Sequence, residues 1–429
     1  KQAQEKPLLQ RKQNRMVAKH MTAKVYKILF VINTLGQAGA ETALLSLLQT
    51  LAREKGEARY EISLYVLTGQ GEMASRLPEN VRLLNKEYRE ESVLTAKGRK
   101  YLKKTVLKAM FTRGTVVKLF PYLVKNTCAM LGKKRLLPDK LLWRVLSDGG
   151  MVLPEEYDLA VSYLEGGAAY FVADHVKAAK KAAFIHVDYE KAGYTRALDK
   201  DCYLAFDKIF TVSDEVREAF LKAYPELPDK TEVFHNILNK EEIVRRAGEG
   251  GGFTDGFTGI RLLSVGRLTA QKAFEVSVDA MKRLKDAGKN VRWYVLGEGD
   301  QRKKLQEQID ALGLTEDFIL YGAVNNPYPF MKQADIYVHA SRFEGKSIAI
   351  QEAQILGKPM VVSDCSGNRE QVCRGEDGLM CDLTPESLAE NITLLLDDEA
   401  LRRKLGAAAA EKNADAAEEI QKLLSMLKG

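Results

Sequence analysis

The sequence predicts an α/β fold of two doubly wound domains facing a central cleft, and three observations carry that expectation. Short apolar runs such as KILFVI at 27–32 read as strands buried on both faces of a parallel sheet, and each gives way to a polar loop and a helical pattern. A stretch at 248–259, GEGGGFTDGFTG, is half glycine and holds neither a helix nor a central strand, and the same alternation starts afresh after it. With 429 residues the chain exceeds one ordinary core and suits two.

Charge and composition narrow the function classes. The net charge is +7, but 97–144 alone holds 14 Lys and Arg against one acid, Asp139, so the rest of the chain is net acidic. That speaks for one local basic surface and against a protein that coats nucleic acid. Five cysteines without a CxxC pair indicate neither a disulfide framework nor a zinc site, and a reducing cytoplasm is the expected compartment. No run approaches the roughly 18 apolar residues of a membrane span, and no signal-peptide pattern precedes the first strand.

Taken in order, 1–24 reads as a disordered arm or as residues not native to the protein, and 25–245 as the first domain. After the strand at 27–32 comes a loop with Gly36 and Gly39, then a helix from near Glu41. The spacing is G-x-x-G, short of the G-x-G-x-x-G that a dinucleotide needs, which weakens an NAD reading. Strands follow at 60–67 and 81–85. The segment 97–144 then combines Leu102, Val106, Leu107, Met110, Phe111, Val116, Leu119, Phe120 and Leu123 with lysines at helical spacing. It suits either docking on an anionic membrane or a helix pair with a solvated basic face. Four more strands are expected between 157 and 234, one of them ending at His186. Asp199-Lys200-Asp201 has a metal-binding D-x-D pattern but precedes a predicted helix at 202–208, so a helix cap is expected there and no metal.

The linker spans 246–259, the second domain 260–410 and a terminal amphipathic helix 411–429. Its first strand opens a loop with Gly266, Arg267 and Lys272, two cations five residues apart that can meet one phosphate cluster. Gly297 allows a backbone to approach a ligand closely, and Val324 ends a further short strand. Glu344 follows a buried strand, and Glu352 lies eight residues on, about two turns along a helix opening at Ser347. Between them Gly345, Lys346, Ser347 and Ile348 are expected to present free N–H groups to an anion.

The two acids, the FEG turn, the LGKPMVVSD strand and the upstream Arg and Lys resemble the retaining GT-B glycosyltransferases of family 4, over about 25–405 and most strongly over 262–382. The resemblance implies two Rossmann-like domains and metal-independent transfer of a hexose-type sugar from a UDP- or GDP-sugar, UDP favoured, with no further cofactor. The acceptor would be a glycan or a lipid-linked glycan in capsule or other surface-polysaccharide synthesis, with the enzyme cytoplasmic or peripheral on the inner membrane face. It further implies that Glu344 holds the sugar hydroxyls, Glu352 the ribose, Arg267 and Lys272 the diphosphate, the loop around Val324 the base, and His186 the sugar from the opposite domain. Catalytic candidates are thus His186, Glu344, Arg267 and Lys272. Two departures stand out: Ala38 replaces a glycine of the first loop, and Ala273 replaces the glycine after Lys272, which is harmless only where φ is negative. A nucleotide-sugar epimerase or hydrolase of the same shape, or a binding protein without catalysis, would fit the same pocket.

Overall fold

A computed structural model describes residues 24–54, 58–93, 95–132, 136–412 and 416–428. The expected N-terminal arm therefore lies outside the described residues, Lys24 excepted. Among them the first domain holds seven strands: β1 Val25–Ile32, β2 Arg59–Val66, β3 Val81–Leu83, β4 Tyr157–Ser162, β5 Ala178–Ile185, β6 Lys208–Thr211 and β7 Thr231–Val233. Their order is β3-β2-β1-β4-β5-β6-β7, and every pair is parallel. The second domain holds β8 Ile260–Val265, β9 Val291–Leu296, β10 Phe318–Gly322, β11 Ile336–His339, β12 Met360–Ser363 and β13 Leu379–Cys381, in the order β10-β9-β8-β11-β12-β13, again all parallel.

Both faces of each sheet are covered by helices, which is why the strands read as unbroken apolar runs. In β1 Ile28 through Ile32 are fully buried. In both sheets the chain reverses its winding beside the first strand, between β1 and β4 and between β8 and β11. A doubly wound sheet opens a crevice at the carboxyl end of its strands there, and ligands bind in it.

The domains meet through specific contacts. Gln37 Nε2 donates to Asn325 Oδ1 at 2.7 Å, and Glu370 accepts from the N–H groups of Asp214 and Glu215 at 3.3 and 2.9 Å, capping the helix Asp214–Ala223 from across the cleft. The helix Ala416–Ser425 follows the second domain, yet Ile420, Leu423 and Leu424 are buried in the core around β1 and β2. Glu419 accepts from the N–H of His235 at 3.0 Å and so ties this helix to the end of β7.

Two expectations need correction. The second domain does not begin after the glycine stretch, because Ile243 and Ala247 of the helix Lys240–Ala247 are buried with Tyr328, Met331 and Ala353 in its core. The glycine stretch, which holds no helix or strand, is anchored to that domain: Asp255 accepts from Arg261 and Arg292 at 3.0 Å each, and Phe253 N–H donates to Gln333 at 2.8 Å. The D-x-D does not cap a helix either. Lys200 and Asp201 are both left-handed, the Asp201 side chain caps nothing, and only a short 3-10 turn, Cys202–Ala205, follows. Asp199 is instead fully buried, where Tyr170 OH donates to it at 2.7 Å and burial pushes its pKa up to about 7.

Candidate active site

The first domain supplies the loop after β1 and the end of β5. Asn33 pins that loop: its amide donates to Glu165 O at 3.1 Å and its oxygen accepts from Ala168 N–H at 2.8 Å. Gly36 faces Glu72, and Gly39 lies so close to Ile348 of the second domain that a Cβ there would sit 3.1 Å from its side chain. Glu41 is buried beside Thr34, whose hydroxyl donates to it at 3.1 Å; burial raises its pKa to about 7, and nearby Arg267 opposes the rise.

His186 directly follows β5. Its N–H donates to Glu165 Oε2 at 3.0 Å, and its ring lies against Tyr163, with centroids 5.0 Å apart. Nε2 is buried without a hydrogen-bond partner among the described residues. Burial lowers the imidazole pKa to about 4, so at neutral pH the ring is uncharged and can bond a hydroxyl as donor or acceptor.

In the second domain, Glu344 is buried at the end of the loop after β11. Lys272 Nζ donates to its Oε1 at 2.5 Å, His339 Nε2 lies 3.1 Å from the same oxygen, and Ser341 OH bonds it too. Burial alone would raise the carboxyl's pKa, but Lys272 and His339 outweigh it and hold the group well below the usual carboxylate range. All three donors converge on Oε1. Among the described residues no donor bonds Oε2, which leaves it able to accept from a hydroxyl.

Glu352 lies inside the helix Ile348–Ile355, buried, with Tyr328 OH donating to its Oε1 at 2.8 Å. Burial raises its pKa to about 7, and Arg246 and Arg76 pull it back down. Arg246 lies over the Tyr328 ring and donates to Asn325 O at 2.9 Å, while Arg76 reaches in from the first domain. Because the folded pKa exceeds the ordinary value of 4.5, Glu352 penalises folding increasingly as pH rises from about 4.5 to about 7. Glu352→Gln is therefore expected to stabilise the unliganded protein by about 1–3 kcal/mol at pH 8 and by nothing at pH 4; denaturant unfolding at the two pH values checks this.

Of the other expected residues, Val324 is half-buried beside Asn325. Gly297 has φ +153°, and a Cβ there would lie 1.9 Å from Gly266 O, so the loops after β8 and β9 touch through backbone alone. Arg267 is exposed and neighbours Glu41 across the cleft.

Three expected details differ. Lys272 does not stand free beside Arg267, since Glu344 holds it. The Ser347 N–H is not open to an anion: Gln371 Oε1 accepts it at 2.6 Å, and Gln371 Nε2 donates to Ser347 O at 2.9 Å. Lys346 turns its ammonium to His235 Nδ1 at 2.7 Å, where burial lowers its pKa to about 8. The condition set for Ala273 fails as well, because this fully buried residue has φ +45°, a left-handed conformation that costs an alanine about 1–2 kcal/mol.

Sequence reasoning missed Glu165, His339, Ser341, Tyr328, Arg246, Arg76 and Gln371. His339 and Ser341 flank the end of a strand already known to feed Glu344, which was a usable signal; the others come from distant segments and carry none. Asp148, Asp174 and His175 also bring ligand atoms within 4.8 Å of one another. The buried Arg144 guanidinium bonds Asp174 and lies 4.0 Å from Asp148, so a cation already occupies that charge.

With this geometry described, the likeness to solved proteins is direct. The structure of Anabaena Alr3699/HepE in complex with UDP and glucose matches 94% of this chain and 100% of its own, with a TM-score of 0.65 at 16% identity. The fold is GT-B. Residues 258–412 of this GT-B chain, most of the second domain, match the family model described as "Glycosyl transferases group 1". A Campylobacter jejuni N-acetylgalactosamine-N,N'-diacetylbacillosaminyl-diphospho-undecaprenol 4-alpha-N-acetylgalactosaminyltransferase is 33% identical over 178 residues, 41% of this chain and 47% of its own. The Staphylococcus aureus capsular polysaccharide biosynthesis glycosyltransferase CapM is 28% identical over 145 residues, 33% and 38% respectively. This GT-B chain thus spans less than half the length of these curated relatives. Both relatives are named as glycosyltransferases.

Proposed function

We propose that the protein transfers a hexose-type sugar from a nucleoside-diphosphate sugar, a UDP-sugar in preference to a GDP-sugar, to a glycan or lipid-linked acceptor with retention of the anomeric configuration and without a metal. The observation that carries this reading is the pairing across the cleft: Glu344, its carboxyl held well below the usual carboxylate range and its Oε2 without a hydrogen-bond partner among the described residues, lies next to Gly345, whose backbone abuts the carbonyl of His186, and the His186 Nε2 likewise has no partner among them. A carboxylate in one domain and a neutral imidazole in the other, on residues that this backbone contact brings together, suit sugar hydroxyls gripped from both sides.

In the reaction the bond from the anomeric carbon to the diphosphate breaks, and its electron pair leaves with the phosphate oxygen. Arg267 and the N–H groups of Gly345 and Lys346, which donate to no protein acceptor among the described residues, meet that growing charge. Lys272 has three N–H donors and Glu344 uses one, so the ammonium can serve the sugar-binding carboxylate and the leaving group together. Attack from the same face, with the departing phosphate taking the acceptor's proton, gives retention without a covalent enzyme intermediate. Glu352 and Tyr328 suit the ribose hydroxyls.

A panel of UDP- and GDP-sugars tests this, with hydrolysis and transfer as the readouts. The expected result is turnover of one UDP-sugar, unaffected by a chelator, with an α-linked donor giving an α-linked product by proton NMR. An inverted product removes the retaining mechanism, and loss of turnover on chelation removes metal independence.

A further inference from the structure

The helices Ala96–Phe111 and Thr115–Gly132 carry a surface that the cleft does not use. Their inner sides are ordinary core: Leu119, Tyr122 and Met130 are buried, with Leu102, Val106, Met110 and Leu123 packed against them. Most of the apolar residues that made the sequence of this segment look amphipathic are therefore spent inside the protein. The outer side is apolar all the same. Val117 is 76% exposed, Phe111 71% and Phe120 64%, and Val124 and Leu131 are also exposed. At 100° per residue, Val117, Phe120, Pro121, Val124, Cys128 and Leu131 fall within about 100° of arc on one helix, directly opposite the buried residues of the same helix. Lys118 and Lys125 form one rim of that arc, and Phe111 ends a neighbouring stripe with Lys104, Leu107 and Lys108. These four lysines have no acidic partner among the described residues. The turn joining the helices is held rigid: Arg113 has φ 55° and donates to Asp148 O and Gly150 O at 3.1 and 2.5 Å.

We propose that this face docks on the surface of an anionic lipid bilayer. Two features choose that occupant. A protein partner would call for a surface with acids to answer the bases or a concave groove, whereas here the helix is convex, its large side chains project outward, and 97–144 holds 14 basic residues against one acid. Apolar side chains of this kind enter the headgroup boundary, while rim lysines stay at the level of lipid phosphates. The face is built from the chain's own residues and stands independently of the donor chemistry proposed above.

Cosedimentation of the full chain with vesicles tests the inference. Wild-type protein is expected to bind vesicles containing phosphatidylglycerol and to bind pure phosphatidylcholine vesicles at least 10-fold less. Two double variants, Phe111→Ser with Phe120→Ser and Lys118→Glu with Lys125→Glu, should each weaken binding 10-fold or more while thermal unfolding and donor hydrolysis in solution stay unchanged. Absence of wild-type binding overturns the proposal, as does binding undiminished in both variants. Wild-type dimers that become monomers in the Phe111→Ser, Phe120→Ser variant without lipid would assign the face to self-association instead, and would also overturn it. Loss of vesicle binding with intact donor turnover, or the reverse, separates this inference from the proposed function.

Discussion

Lys272→Ala is expected to lower kcat by about 10²- to 10³-fold, because one ammonium stands at the junction of two tasks. It holds Glu344 ionised in a buried position, its Nζ 2.5 Å from Oε1, and in the proposed mechanism its remaining N–H donors meet the leaving diphosphate. Removing it leaves His339 and Ser341 on that oxygen, but His339 is itself kept neutral by burial and by Lys272. The carboxylate would then lose the one lysine or arginine that pairs with it among the described residues. Breaking such a pair costs about 3 kcal/mol or more when the remaining charge stays buried, so stability should fall together with turnover. Arg267→Ala differs in a useful way. Its side chain is exposed, so turnover should fall about 10²-fold while unfolding changes little. Steady-state kinetics with parallel denaturant unfolding checks both; near-normal turnover in Lys272→Ala would remove it from the mechanism.

Gly345→Ala should lower kcat by about 10-fold or more without unfolding either domain. A Cβ at this position would meet His186 O at 2.4 Å and Val216 Cγ2 at 3.3 Å. His186 and Val216 belong to the first domain and Gly345 to the second. The backbone oxygen cannot swing aside as a flexible side chain would, so relief comes from parting the domains. Parting them withdraws the end of β5, with His186, from the Glu344 loop, the pairing on which the proposed sugar positioning rests. The proposed ribose-binding pair, Glu352 and Tyr328, lies within the second domain, and UDP affinity is expected to change less than 3-fold. Melting temperature, UDP titration and turnover separate these effects, and wild-type turnover in the variant would show that the close approach is dispensable.

The strands were legible because burial on both faces writes unbroken apolar runs: all of KILFVI but its exposed Lys27 became the buried part of β1, and IYVH became β11. Glu344 and Glu352 were legible because one strand, one turn and one helix set their separation, so distance in sequence translated into distance in space. Arg76 and Arg246 were not, since they meet near Glu352 only after two domains have docked. Gln371 took the Ser347 N–H for a related reason: a side chain 24 residues away can reach a helix terminus that local rules leave open. The helix Lys240–Ala247 was assigned to the wrong domain because composition marks where a chain bends, whereas packing decides which core it joins. At 97–144 periodicity identified helices, but only burial tells which apolar stripe faces inward.

The central claim is that the crevice between the sheets holds a sugar nucleotide, with the ribose at Glu352 and the sugar between Glu344 and His186. Isothermal titration of the full chain with UDP-sugars tests it most directly. The account predicts saturable one-to-one binding of at least one of them, weakened 10-fold or more by Glu352→Ala and less than 3-fold by Lys118→Glu on the outer helix face. Binding of equal strength in wild type and Glu352→Ala, or none to any UDP- or GDP-sugar, would contradict it.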